Sequence, residues 1–392
     1  MNRSTFPGTV ALDQSVKNAI SPTYPGKPMH LGMPPFDPSG PAMSFYEFWP
    51  PKLFYIPVTV FWLLLSIRHG STTLPTIANP LFPTGGLVGE SKEAVLSKVG
   101  GQSSNLVARF TALTRGGSDT RAEADCQHAE ARMQAKHLSY PAVVKPDVGC
   151  RGVGVQIVRN TDELLSYLKK FPLGGRVLIQ ELVPHEGEAG VFYVRLPGEK
   201  TGFIFSLTLK YFPYVTGDGK TTLGKLIGND RRAGLIKDVY LKRHEKRLDD
   251  VIPKDQHFRL AFTGSHSRGT IFRNGNPYIT EKMRAAFDRI SYDIPEFYFG
   301  RFDVRFSDFR ELQKGRGFKI VELNGAGGEA THIWDRKTPI LQAYRTLMKQ
   351  FGYLFEIGAR NRRRGFEPST PLELWKAYKK EKWFTPLYPH TE

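Results

Sequence analysis

Asp303, Glu322 and Asn324 put oxygen-bearing side chains on two segments that read as β-strands. In residues 318–323 the side chains of Phe318, Ile320, Val321 and Leu323 crowd together and Gly325 ends the run, which is the pattern of a strand. Side chains alternate across a strand, so Glu322 and Asn324 are expected on one face. Residues 299–306 form a matching strand in which Arg301, Asp303 and Arg305 share one face and Phe302, Val304 and Phe306 the other. Side by side, the two strands would gather two carboxylates, an amide oxygen and one or two arginines. A hard cation such as Mg²⁺ prefers oxygen ligands and is usually held by one or two carboxylates together with the phosphates of a nucleotide. The plainer alternative is a pair of edge strands carrying solvated charges.

A second stretch supplies what phosphates need. In residues 143–155, VVKPDVGCRGVGV, Lys145 closes a short apolar strand, and Gly149, Gly152 and Gly154 occupy the turn to the next. Glycines let backbone N–H groups approach phosphate oxygens, and a lysine at a strand end adds a point charge. The pattern is neither a dinucleotide-binding fingerprint, since a strand follows, nor a Walker A loop, since the GK[ST] ending is missing. Taken alone it is equally a glycine-rich hairpin.

Taken in order, five motifs resemble the ATP-grasp superfamily, and within it carboxylate–amine ligases of the D-alanine–D-alanine ligase and cyanophycin synthetase kind. They are VVKPDVGCRGVGV, VLIQELVPHEGEAG (177–190), LKYF (209–212) with GDGKTTLGKLI (217–227), GRFDVRF (300–306) and VELNGAGGEATH (321–332). The resemblance implies an α+β ATP-grasp fold, in which two subdomains with mainly antiparallel sheets grip ATP. It implies an ATP-dependent ligase that joins a small-molecule or peptide carboxylate to an amine through an acyl-phosphate, with Mg²⁺, or Mn²⁺ in its place.

Position by position, the resemblance implies that Lys145 contacts the α- and β-phosphates and that the loop 149–154, with Gly149, Arg151, Gly152 and Gly154, closes over the triphosphate. It implies that Glu181, Leu182 and Val183 are the hinge that reads adenine and that Glu188 takes the ribose hydroxyls. Lys210 is expected near the γ-phosphate. Asp303, Glu322 and Asn324 are implied as metal ligands, and Arg301 as the arginine that steadies the acyl-phosphate and the tetrahedral intermediate. Lys92 has two readings, a second phosphate lysine or a surface lysine at a helix start. His266 with Arg268, and Thr331 with His332, are read either as substrate-carboxylate contacts or as ordinary loop residues. The chain departs from the resemblance in carrying Cys150 and Arg151 where D-alanine ligases favour serines. Two further readings are an ATP-grasp phosphotransferase that stops at a phosphorylated hydroxyl, and a non-catalytic, membrane-associated ATP-binding protein.

The remaining sequence must position these groups. The chain has 392 residues, 40% hydrophobic and 24% charged, an ordinary globular balance. Its formal charge of +17 suits phosphate-bearing partners and anionic surfaces. The basic residues are spread out, the one dense run being Arg360, Arg362, Arg363 and Arg364, and no nucleic-acid module appears, so no nucleic-acid partner is expected. Cys126 and Cys150 have neither CxxC spacing nor a histidine partner at ligand spacing, which suggests a reducing, cytoplasmic setting.

Residues 1–44 are rich in Pro and Gly and read as a poorly ordered extension without a secretory signal. Residues 45–70 are the most apolar part. As a helix, residues 53–67 would rise roughly 22 Å, too short to span a bilayer, and Pro57 is expected to interrupt them. That segment is either buried against the main domain or in peripheral contact with the inner face of a membrane. Residues 71–139 are assigned to a partial pre-ATP-grasp region, in which helices are expected over 90–99, with Ser91 as cap, and over 122–137. Residues 140–358 form the ATP-grasp domain, with Thr161 capping a helix and a last helix over 339–355, and 359–392 a basic C-terminal tail.

Overall fold

The strands, in chain order, are β1 (Phe110–Thr114), β2 (Ala142–Pro146), β3 (Gln156–Val158), β4 (Arg176–Glu181), β5 (Gly187–Val194), β6 (Phe203–Tyr211), β7 (Tyr214–Thr216), β8 (His257–Arg259), β9 (Ile271–Asn274), β10 (Phe299–Phe306) and β11 (Phe318–Asn324). This is a computed structural model, and it describes residues 29–116, 118, 121–149, 152–262, 264 and 269–391. A small sheet runs β1-β4-β2-β3, a large one β11-β10-β5-β6-β9, and β7 pairs with β8. Every strand pair in them is antiparallel. This is the α+β arrangement of mainly antiparallel sheets that the sequence resemblance implies. Because β1 is an edge strand of the small sheet, residues 71–139 are not structurally separate from the domain expected to begin at 140.

The helices are α1 (Pro51–Phe54), α2 (Ile56–His69), α3 (Lys92–Leu96), α4 (Ala122–Ala135), α5 (Thr161–Lys170), α6 (Leu223–Asn229), α7 (Lys237–Arg243), α8 (Glu281–Tyr292), α9 (Phe309–Gln313), α10 (Ile340–Arg363) and α11 (Pro371–Phe384). Each sheet has one face covered by helices. On the large sheet α8 buries Met283, Ala286, Phe287 and Ile290, spaced to form one helical stripe, in a core shared with Tyr193, Phe302 and Phe318. Removing the Phe287 side chain would cost about 3–5 kcal/mol. On the small sheet α4 and α5 set Cys126, Met133, Leu164 and Leu168 against Val144, Val177 and Ile179. The other face of the large sheet is covered by α10 at its Phe192 and Phe299 end, where Leu354 and Ile357 pack, and the rest of it looks across a cleft at the small sheet.

Several boundaries differ from expectation for identifiable reasons. Asn160, not Thr161, caps α5, because its side chain accepts from Glu163 N. Strand β3 begins only at Gln156 because Gly152 and Gly154 have φ of 69° and 72°. Pro57 does not interrupt the apolar segment: it falls in the first turn of α2, where no intrahelical donor is lost, and the break from α1 is at Tyr55. Helix α10 continues past 355 to Arg363 because Ile357, Gly358, Ala359 and Asn361 are buried. The end of the chain is structured as α11 and a segment that returns to the glycine-rich loop. Among the described residues, no helix is long and apolar enough to cross a membrane.

Candidate active site

The floor of the cleft is built by β10 and β11. Their register sets Asp303 opposite Glu322 and Arg301 opposite Asn324, after which the pairing jumps to Val304 with Ile320. Val321 is thus an extra residue, a β-bulge. It matters for the chemistry: Phe318 and Ile320 point into the core, and by strict alternation Glu322 and Asn324 would follow them. The bulge shifts the phase by one and turns both side chains into the cleft, where they line the cavity with Asp303 and Arg301.

Behind these side chains runs a buried chain of alternating charge. Arg305 Nε lies 3.3 Å from Glu188 Oε2, Lys210 Nζ lies 3.0 Å from both Glu188 Oε1 and Asp303 Oδ1, and Arg301 Nε donates to Asp303 Oδ1 at 2.8 Å. Burial opposes charge on Asp303, but Arg301 and Lys210 outweigh it and hold the carboxyl below its usual range. Burial likewise opposes charge on Lys210, and Asp303 and Glu188 outweigh it and raise its pKa. The five groups carry three positive and two negative charges and are fixed by one another. Such preorganised cations suit stabilisation of charge that develops on a phosphoryl group.

From the other sheet, Lys145 at the end of β2 donates to Gln180 Oε1 at 2.8 Å and to Val321 O at 3.1 Å. Burial lowers its pKa to about 8, against the pull of Glu322. Lys92, the first residue of α3, is also in the cleft: its Nζ donates to Gly149 O at 2.7 Å and lies 3.8 Å from Glu322. The sequence left its place open because one lysine at a helix start has no periodicity to judge it by. Gly149 and Gly152 line the cavity, Gly154 packs on Pro146 and Tyr388, and Arg151, Cys150, His266 and Arg268 lie outside the described residues.

At the end of β4, Glu181, Leu182 and Val183 line the cleft where the chain passes from the small sheet to the large one. Glu181 is tied to Arg109, whose Nε donates at 3.1 Å; burial opposes its charge, but these bonds keep its pKa below the usual value. Glu188 also lines the cleft, with both oxygens engaged by Lys210 and Arg305.

The opposite end of the cavity was not visible in the sequence. Phe48, Trp49, Phe54 and Tyr55 from the apolar N-terminal segment form a wall with Trp334, and Glu329 accepts from Tyr55 Oη and Trp334 Nε1. Thr331 lines the cleft, whereas His332 is buried beneath it with Nδ1 2.6 Å from Ser206 Oγ. Glu90, also missed, receives the Gly325 N–H at 3.1 Å; burial raises its pKa to about 8, and Glu322 adds to the rise. The whole cavity measures about 840 Å³.

The donor set fits a hard divalent cation. Glu322 is about one-third exposed to the cleft, and among the described residues the Asn324 Oδ1 accepts no hydrogen bond. Asp303 Oδ1 takes Arg301 and Lys210, while Oδ2 takes Arg301 Nη2 at 3.2 Å and only a long contact of 3.5 Å from Asn324 Nδ2, the contact an ion would displace. Among the described residues, no group of three or more His, Cys, Asp and Glu side chains makes a metal cage. Two carboxylates and an amide instead suit an ion that shares its remaining positions with water and phosphate.

No known protein family and no curated protein matches the chain. Among solved structures it is similar to a bifunctional glutathione synthetase from Pasteurella multocida (14% identity, TM-score 0.32), covering 66% of this chain and 36% of that one. It is similar to a D-cycloserine synthetase at 14% identity and TM-score 0.34, covering 66% and 69%. It is similar to D-alanine–D-alanine ligase from Bacillus anthracis at 14% identity and TM-score 0.40, covering 72% and 71%. Likenesses this distant carry no weight for function, which must be argued from the cleft itself.

Proposed function

We propose that the cleft binds a nucleoside triphosphate, ATP by the motif resemblance, and uses it to join a carboxylate to an amine, as a ligase of the ATP-grasp kind. One observation carries the reading: Lys92 from the start of α3, and Lys145, Lys210 and Arg301 from two antiparallel sheets connected through residues 182–186, converge on the same cavity as Asp303, Glu322 and Asn324. The base would rest against the connection, the triphosphate would extend under the glycine-rich loop toward Lys145 and Lys92, and the reacting substrates would occupy the aromatic end.

Asp303, Glu322 and Asn324 would hold Mg²⁺, which neutralises phosphate charge when bound. A substrate carboxylate oxygen attacks the γ-phosphorus, the bond to the β-phosphate oxygen breaks, and ADP leaves. Lys210 and Arg301 face the charge that builds in this transfer and are held there by Asp303 and Glu188. An amine nitrogen then attacks the acyl carbon, phosphate departs, and the amine proton passes to solvent. Exclusion of water by the loop and the aromatic wall would protect the acyl-phosphate.

The test is turnover with Mg-ATP against a panel of carboxylates crossed with amines. ADP release that requires one of each and yields an amide supports the ligase. Phosphorylation of a hydroxyl substrate without amide formation would replace it with the phosphotransferase reading.

A further inference from the structure

We propose that the outer face of α1 and α2 docks the protein in the plane of an anionic lipid surface. Leu53, Ile56, Val60, Leu63, Leu64 and Ile67 are each between 52 and 79% exposed. From Ile56 on, their spacing of four, three, one and three residues places them along one side of α2. The opposite side is packed: Val58 and Leu65 are buried, and the Trp62 ring meets the edges of Phe351 and Phe355 on α10 at 5.4 and 5.0 Å. The helix therefore has an apolar inner face and an apolar outer face. Its two hydroxyls each donate to the backbone one turn earlier, Thr59 to Tyr55 O and Ser66 to Trp62 O, which spends their donors.

Charge decides what covers this face. No Asp or Glu occurs between Glu47 and Glu90. Lys52 is exposed at one end of the stripe and Arg68 at the other, with Arg362 beside it through a hydrogen bond to His69 O. A second copy docking by a two-fold axis would bring these cations toward one another with no carboxylate in the segment to meet them. A bilayer with anionic headgroups answers both features: acyl chains take the leucines and isoleucines, and phosphates take Lys52, Arg68 and Arg362. At fourteen residues, α2 would lie in the interface and not cross it. The inference is independent of the reaction assigned to the cleft, though the same segment supplies the cleft's Trp49, Phe54 and Tyr55.

The test is co-sedimentation of the full chain with vesicles of pure phosphatidylcholine and of phosphatidylcholine mixed with phosphatidylglycerol, at low and high salt. The full chain should sediment with the anionic vesicles, and less so with neutral ones or at high salt. Leu64→Gln with Ile67→Gln should lower partitioning by at least roughly tenfold at unchanged thermal stability. Lys52→Glu with Arg68→Glu, which leaves the apolar face intact, should lower binding to anionic vesicles alone by about tenfold. Absence of vesicle binding by the wild type, or unchanged binding by both variants, would overturn the proposal. So would a concentration-dependent dimer abolished by the glutamine pair in a protein that ignores vesicles, because a second copy would then own the face.

Discussion

Lys145 on the small sheet reaches the carbonyl of Val321 on the large one at 3.1 Å, and Val321 is the extra residue of the bulge that turns Glu322 and Asn324 into the cleft. One bond thus joins the two halves of the cleft at the point where Glu322 and Asn324 turn into it. Lys145→Met should raise the Kd for ATP by at least roughly tenfold, since a phosphate contact to a buried cation is lost. It should also cost about 1–2 kcal/mol of stability by leaving Gln180 Oε1 without its donor. Nucleotide titration and urea unfolding of the same variant measure the two effects separately.

Asp303 and Glu322 should respond differently to neutralisation although both line the cleft. Asp303→Asn leaves Arg301 and Lys210 buried against an uncharged partner and should cost on the order of 3 kcal/mol. Glu322→Gln touches a partly exposed group and should stay within about 0.5 kcal/mol of wild type. Both should lower Mg²⁺-dependent turnover by roughly a hundredfold or more. Thermal melts beside rate measurements would show whether the two losses have these separate origins.

The end of the chain straps the glycine-rich loop. Tyr388 Oη donates to Val148 O at 2.8 Å, Thr391 Oγ1 donates to Gly152 O at 2.8 Å, and Gly154 N donates to Thr391 Oγ1 at 3.0 Å. Tyr388→Phe combined with Thr391→Val removes these bonds and should raise the KM for ATP by about three- to tenfold, with faster proteolytic cleavage near residues 149–154. Equal cleavage rates would show that the strap does not restrain the loop.

Much of this was legible and some of it only by accident. The strands that carry Asp303 and Glu322 have the expected ends, and the residues named for nucleotide, metal and catalysis line one cleft except Gly154, which packs beside it, and Arg151, which lies outside the described residues. Of the substrate-contact candidates, Thr331 lines the cleft, His332 is buried beneath it, and His266 and Arg268 lie outside the described residues. Yet Glu322 and Asn324 share strict alternation with the core residues Phe318 and Ile320, and only the bulge separates them, which one-dimensional parity does not reveal. The aromatic wall was invisible because Tyr55 and Glu329 are brought together by tertiary packing over a long sequence separation. Nor does anything in residues 385–391 signal an element that would return to the loop. Of the two readings of residues 45–70, burial against the main domain holds for the inner side of α2, and membrane contact through its open side is the proposal made above.

Three histidines withdrawn from solvent, His332 buried and His30 and His244 half-buried, predict how stability depends on pH. Burial lowers the pKa of His30, His244 and His332 from 6.5 to about 4. Between about pH 4 and 6.5 the unfolded chain therefore binds more protons than the folded one, so stability rises with pH across that window and falls on acidification. Each histidine contributes a slope of up to about 1.4 kcal/mol per pH unit. His332→Gln should flatten the slope by one proton in urea unfolding between pH 4 and 7; an unchanged slope would contradict the assignment.

The acyl-phosphate is the centre of the proposed reaction, and transfer of oxygen isotope tests it most directly. With the carboxylate and amine that support ADP release, the carboxylate is labelled with ¹⁸O and the released phosphate is weighed. Attack of the carboxylate on the γ-phosphorus predicts one labelled oxygen in each phosphate, with no label transferred in the Glu322→Gln protein. Turnover that releases unlabelled phosphate would contradict the acyl-phosphate mechanism.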